Sequence, residues 1–352
     1  MNTNPQDGTS RAESGHGSTD RARGPGAFAR RHGLVSFYTL AYGLSWLAWL
    51  PYVLSQYGLG VVRVPFPEVL GTGELAGQLG GILFGAYLGP LGAAFVVTAL
   101  GEGRPGLRRW RGRLFRWGVG WKWYAFALVA VPAIITAGTL ALPGAAAGFR
   151  LPPPEVLLVY VPFLALQMVT TGLAEEPGWR DFALVRHQRQ HGPLLGTLIL
   201  SVLWAGWHAP LFLTEWGAGI GGANPRAIVL FLLLCVTLSV VITWVFNRTR
   251  ESLPLAIVIH ASNNTFASLL LLAAFTTLDP ARDVLTGAVI GYGALALVIV
   301  AATRGRLGYD GPRNDPSHQA VEATANHTRT EGPYGGGGTS TDGVPRSTRS
   351  RS

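Results

Sequence analysis

Three short polar clusters interrupt an otherwise apolar chain, and their side chains are the ones that could carry out chemistry. Ionisable groups inside hydrocarbon are costly, so those that are kept there are candidates for function. The candidate side chains are Glu175, Glu176, Arg180, His208, His260 and Asn264. Their grouping predicts a reaction centre rather than a packing surface.

In the first cluster, one glutamate has an obvious partner and the other does not. Glu176 and Arg180 are four residues apart with the acid first, the favourable order for an ion pair on one helix face. Glu175 lies about 100° further around the helix and has no partner nearby in the sequence. An unpaired carboxylate beside hydrocarbon is a good base. The alternative is that both acids only cap the helix at the membrane interface.

The other two clusters show the same four-residue spacing. His260 and Asn264 share a helix face and would point two hydrogen-bond donors into a bundle. Trp204 and His208 place an aromatic ring one turn from an imidazole. Pro210 removes a backbone hydrogen bond just beyond His208 and can kink the helix there, which would open room for a substrate.

Together these groups suit hydrolysis. Glu175 and His208 could polarise a water molecule and pass its proton to a leaving amine. His260 and Asn264 could donate to the oxygen that becomes negative when water attacks a carbonyl. Alternatively, Glu175, His208 and His260 could hold zinc with an open position. The residue types fit both chemistries, so a zinc cofactor and a metal-free mechanism are equally allowed at this point.

The elements that must position these side chains are membrane helices. Of the 352 residues, 48% are hydrophobic and only 13% charged, and the mean hydropathy is +0.29. Since about 20 apolar residues cross a bilayer, the sequence predicts an all-α, multi-pass transmembrane bundle of about eight spans. The predicted spans are 34–54, 76–100, 121–142, 155–174, 194–216, 227–247, 253–276 and 284–303.

Arginine positions predict the orientation of the bundle. The odd-numbered loops carry one arginine each, whereas the tails and the even-numbered loops carry most of the others; the fourth loop is assigned Arg180, Arg186 and Arg189. This alternation predicts a cell-membrane protein with both termini cytoplasmic. The arginines that produce the net charge of +9 thus indicate the orientation of the protein in the membrane. No nucleic-acid partner is expected. Residues 1–33 and 304–352 are predicted to be disordered tails around the membrane domain 34–303.

One geometric condition must hold for the catalytic interpretation. His208 should lie roughly 20 Å along the fifth span at 1.5 Å per residue, while Glu175 sits near the predicted end of the fourth. The two can meet if the spans are offset or tilted, or if the fourth helix continues through the apolar stretch 182–185.

The three clusters, in this order, resemble the CAAX-protease and bacteriocin-processing family of intramembrane proteases, whose pattern is EExxxR, then FxxxH, then HxxxN or HxxxD. The resemblance covers residues 155–270. Trp204 stands where phenylalanine is usual, a change expected to alter only the width of the pocket, and Asp181 stands where glycine often follows the arginine.

The resemblance implies hydrolysis of a peptide bond in a small protein, peptide or membrane-protein substrate at the lipid bilayer. In that picture Glu175 and His208 activate the water. His260 and Asn264 form the oxyanion hole, and the pair of Glu176 and Arg180 is structural. Two other functions compete: a catalytically silent membrane scaffold, such as a bacteriocin-immunity protein, and a small-solute transporter. The transporter is the least favoured because the two halves of the chain show no obvious repeat.

Overall fold

The computed structural model describes residues 25–66, 74–218 and 222–311. Within these residues, eight helices are long and apolar enough to cross a membrane, and no β-strand occurs. They are α1 (Gly33–Leu54), α2 (Leu79–Leu114), α3 (Trp121–Leu140), α4 (Pro154–His191), α5 (Pro193–Leu213), α6 (Pro225–Arg248), α7 (Leu253–Ala274) and α8 (Pro280–Thr303). The all-α multi-pass bundle predicted from the sequence is confirmed.

Two helices are much longer than the sequence suggests. The second predicted span ends at residue 100, but α2 continues to Leu114; the fourth ends at 174, but α4 continues to His191. The assignment of Arg180, Arg186 and Arg189 to a loop is therefore wrong, since all three lie within α4. Arg180 can remain in the helix because Glu176, one turn earlier, neutralises its charge.

The two halves of α4 have opposite surroundings. Its first segment, Pro154–Gln167, contains no buried residue, whereas every residue of the segment Pro177–Leu184 is buried. The buried half packs into the middle of the bundle beside α7, the most buried of the eight helices. The exposed half stands at the edge, with apolar side chains facing outward as expected for lipid contact.

Gly81, Gly85 and Gly89 are spaced four residues apart in α2, and this glycine row packs against α1. Ser45 of α1 donates a hydrogen bond of 2.8 Å to the carbonyl oxygen of Gly85, and Trp49 Nε1 donates to Ile82 O at 2.8 Å. A Cβ atom added at Gly85 would collide with the Trp49 ring, and one at Gly89 would collide with Ser45. The row therefore serves close helix packing, as its spacing predicts.

The described chain extends past both predicted edges of the membrane domain. Residues Pro25–Arg31 form a short helix before α1. After α8, Leu307 is fully buried, and its carbonyl oxygen accepts a hydrogen bond from Asn247 Nδ2 at 3.0 Å. Most of the two predicted disordered tails, residues 1–24 and 312–352, lies outside the described residues.

Candidate active site

The two glutamates occupy one α-helical turn of α4 that has a wider π-helical segment on each side. The turn is Leu173–Glu176, and the π segments are Met168–Gly172 and Pro177–Leu184. Pro177 cannot donate a backbone hydrogen bond, which favours a change of helical pitch directly after the glutamates. Such π segments are frequent at functional sites.

The Glu176 carboxylate accepts hydrogen bonds from two side chains at once, Arg180 and His260. Its Oε2 atom accepts from Arg180 Nε at 2.9 Å, and its Oε1 atom accepts from His260 Nδ1 at 2.8 Å. Arg180 also donates from Nη1 to Ser239 Oγ of α6 at 3.1 Å. Since Glu176 and Arg180 are both completely inaccessible, this pair joins α4, α6 and α7 behind the wall of the site.

Glu175 has a partner that the sequence did not reveal. Trp204 Nε1 of α5 donates a hydrogen bond of 2.8 Å to Glu175 Oε2. The Arg180 guanidinium lies over the same indole ring, 4.8 Å from its centroid. The expectation that Trp204 changes only the width of the pocket is therefore wrong. Its indole N–H holds the carboxylate, which the phenylalanine usual in the family pattern could not do.

The break in α5 determines the tautomer of His208. The α-helix ends at Trp207 and continues as a 3₁₀ turn, Ala209–Leu213. The backbone N–H of His208 donates to Ala205 O, and His208 Nδ1 lies 2.9 Å from Trp204 O. Because a carbonyl oxygen only accepts, Nδ1 must carry the proton. The neutral ring then has its lone pair on Nε2.

The same argument applies to His260. Its Nδ1 atom faces a carboxylate oxygen of Glu176 and must donate to it. The Nε2 atom of His260 is thus a lone-pair acceptor in the neutral ring and a donor only in the imidazolium. Trp204 stands between the two histidines, with ring centroids 6.0 Å from His208 and 5.3 Å from His260.

The predicted catalytic side chains line a common cavity of about 520 Å³. Glu175, His208, His260 and Asn264 all border it, although they come from three different helices. Glu175 and His208 were expected to meet if the fourth helix continued through residues 182–185. The structure has this continuation, since α4 includes these residues. Glu176 and Arg180 lie behind the cavity wall, consistent with a supporting position.

Asn263 also belongs to the wall and was not singled out from the sequence. It lines the cavity, and its Nδ2 atom donates to Asn264 Oδ1 at 2.9 Å. The Asn263 Oδ1 atom is buried and has no partner within the part of the chain that the structure describes. This bond uses the acceptor of Asn264 and leaves its amide N–H groups free. In the sequence, the only sign that Asn263 belongs to the site was its position as a second amide directly before Asn264.

The zinc alternative depends on the donors Glu175, His208 and His260. Two imidazole Nε2 atoms and one carboxylate are ligands that zinc accepts. Among the described residues, however, no three His, Cys, Asp or Glu side chains are arranged closely enough to hold a metal ion. Glu175, His208 and His260 are therefore not grouped as three ligands in this structure, and the zinc alternative stays a prediction.

Comparison with known proteins bears on the same segment. Residues 157–266 match the family model of Rce1-like, type II CAAX prenyl endopeptidases. The resemblance inferred from the three motifs is confirmed. The chain is also 27% identical over 103 residues to CAAX prenyl protease 2 of Methanococcus maripaludis. That alignment covers 29% of this chain and 38% of the relative, so the similarity concerns less than half of either protein.

Proposed function

We propose that this protein is a CAAX-protease-like intramembrane endopeptidase, which hydrolyses a peptide bond of a small protein or peptide at the membrane. The observation that carries the proposal is the common cavity bordered by Glu175, His208, His260 and Asn264. A carboxylate, two imidazoles and an amide from three helices meet there inside an apolar bundle. Of the residues that match the family motifs, five border it, and Glu176 and Arg180 lie behind its wall.

Glu175 is the general base of the proposed reaction. It accepts a proton from a water molecule, whose oxygen attacks the carbonyl carbon of the scissile bond. The Trp204 N–H fixes one carboxylate oxygen through its 2.8 Å bond, which leaves Oε1 to take the proton. His208 assists through the Nε2 lone pair that its tautomer provides. The proton then passes to the leaving amine, and the two peptide fragments separate.

His260 and Asn264 stabilise the negative oxygen of the tetrahedral intermediate. Asn264 supplies an amide N–H, which Asn263 orients by binding the Oδ1 atom of the same side chain. His260 donates from Nε2 as an imidazolium, whose positive charge Glu176 offsets at 2.8 Å. Each such donor contributes about 3 kcal/mol in comparable oxyanion holes.

The substrate is expected to present apolar groups next to the cleaved bond. Most of the cavity wall away from the glutamate is apolar, including Leu79, Phe163 and Leu272. The name of the archaeal relative refers to prenylated CAAX tails, so peptides with and without a prenyl group belong in the same assay. Cleavage of an unprenylated apolar peptide would define a substrate class broader than that name.

The test is a peptide-cleavage assay with the purified full-length protein in detergent. We expect Glu175→Gln and His208→Ala to lower kcat by about 10²–10⁴-fold, the usual contribution of a general base. Ser268→Ala is the matched control, because this serine borders the same cavity on α7 but has no role in the proposed reaction. Full activity of both Glu175→Gln and His208→Ala would contradict the proposal.

The zinc alternative is decided in the same preparation. Elemental analysis measures bound metal directly, and a chelator is added to the cleavage assay. For the metal-free mechanism we expect no stoichiometric zinc and unchanged cleavage. Stoichiometric zinc that is lost from the His208→Ala variant would instead indicate a metal site.

A further inference from the structure

The end of α2 carries a separate arginine-rich helix. At Gly103 the backbone turns to φ 61° and ψ −151°, a conformation that is essentially restricted to glycine. Residues 104–114 follow as a distinct helical segment, called the basic helix here. The break lets it run in a direction different from the rest of α2.

One face of the basic helix is used inside the protein. Arg113 donates from Nη1 to Asp181 Oδ1 of α4 at 2.6 Å and from Nε to Glu251 Oε2 at 2.6 Å. Arg109 pairs with Glu102 at 2.5 Å. These contacts explain Asp181, the residue that departs from the family pattern, because it accepts the cation that ties the basic helix to α4 and to the loop before α7.

The opposite face has no such partners. Arg104, Arg108 and Arg111 are spaced four and three residues apart, so they lie on one side of the helix. All three are exposed, and none makes a hydrogen bond or an ion pair with any residue that the structure describes. The helix therefore has an inner arginine face that is neutralised and an outer one that is not.

Exposed aromatic side chains follow the basic helix along the chain. Phe115 is 66% exposed and Trp121 is 73% exposed, with Trp117 between them also exposed. Exposed tryptophans beside a membrane span are typical of the interface, where the ring meets the lipid headgroups. Along the chain the three free arginines thus directly precede groups typical of headgroup depth, on the side that the arginine distribution predicts to be cytoplasmic.

We propose that Arg104, Arg108 and Arg111 form a binding surface for anionic phospholipid headgroups. Three unpaired guanidinium groups on one helix face provide paired N–H donors for phosphate oxygens and a positive charge that a zwitterionic lipid does not balance. A soluble acidic partner fits less well, because the flanking rings require an apolar boundary. The surface is independent of the proposed peptidase reaction.

The experiment measures retention of phosphatidylglycerol and phosphatidylcholine by the full-length protein in detergent, using native mass spectrometry. The test variant is Arg104→Gln/Arg108→Gln/Arg111→Gln. A second variant with lysine at the same three positions keeps the charge. The matched control, Arg63→Gln/Arg150→Gln/Arg226→Gln, removes three exposed arginines elsewhere.

We expect the wild type to prefer phosphatidylglycerol and the glutamine variant to bind it at least about tenfold more weakly, given the usual contribution of each arginine near a charged surface. The lysine variant and the control should stay within about threefold of wild type, and added salt should weaken binding. Equal binding of phosphatidylglycerol by wild type and the glutamine variant, or equal affinity of wild type for both lipids, would overturn the proposal.

Discussion

The two halves of α4 form one continuous helix but differ in burial and in the charged side chains that they carry. The first half, Pro154–Gln167, has no buried residue, and the second carries Glu175, Glu176 and Arg180 in the interior. The outer half needs only to be apolar, whereas each buried charged side chain of the inner half has a partner from another helix. The comparison teaches that burial, rather than depth along the helix, decides where this chain can keep ionisable side chains.

The largest expected effect on stability comes from breaking the ion pair of the inner half. Arg180→Met should lower the free energy of unfolding by about 3–5 kcal/mol, because it leaves Glu176 as a buried charge without its guanidinium. Chemical unfolding in detergent measures the change. The double variant Glu176→Leu/Arg180→Met should recover part of the loss, and a cost below about 1 kcal/mol for the single variant would contradict the buried network.

A matched pair of leucines tests the comparison directly. Leu184 is fully buried and Leu158 is 77% exposed, although both belong to α4. Leu184→Ala should cost about 2–5 kcal/mol through lost packing and the cavity it leaves. Leu158→Ala should change stability by less than about 0.5 kcal/mol. Equal costs in the same unfolding assay would mean that the outer half also packs against protein.

The smallest of the three effects concerns the link between α5 and the inner half. Trp204→Phe removes the N–H bond to Glu175, and a hydrogen bond to a charged group contributes about 1.5–3 kcal/mol. We expect kcat to fall about 10- to 150-fold with little change in KM. Replacing Trp204 with its benzothiophene analogue keeps the ring shape without the N–H. A normal kcat in that variant would assign Trp204 to packing alone.

The sequence predicted what depends on spacing along one helix. The eight spans follow from the length of the apolar runs. Helical periodicity predicts the pair of Glu176 and Arg180 and the shared face of His260 and Asn264. Contacts between helices do not follow from it. Trp204 binds Glu175 across 29 residues, Arg113 binds Asp181 across 68, and His260 binds Glu176 across 84.

The helix ends were the least predictable feature of the fold. Arginines in the sequence predict a loop, because an unpaired guanidinium is costly in hydrocarbon. In α4 that cost is offset by Glu176, and at the end of α2 by Asp181 and Glu251. Hydropathy along the chain counts each arginine as a cost without the acid that pairs with it, so the fourth span was predicted too short and the helical segment after Gly103 was not predicted.

The local nature of the Glu176–Arg180 pair has a consequence for biosynthesis. Its two members are one turn apart on the same helix, so they can neutralise each other as soon as α4 forms, before α6 and α7 have been synthesised. The insertion machinery would therefore handle α4 as a segment with two fewer unpaired charges. Recruitment of His260 from α7, which is synthesised later, then completes the network at the assembly step.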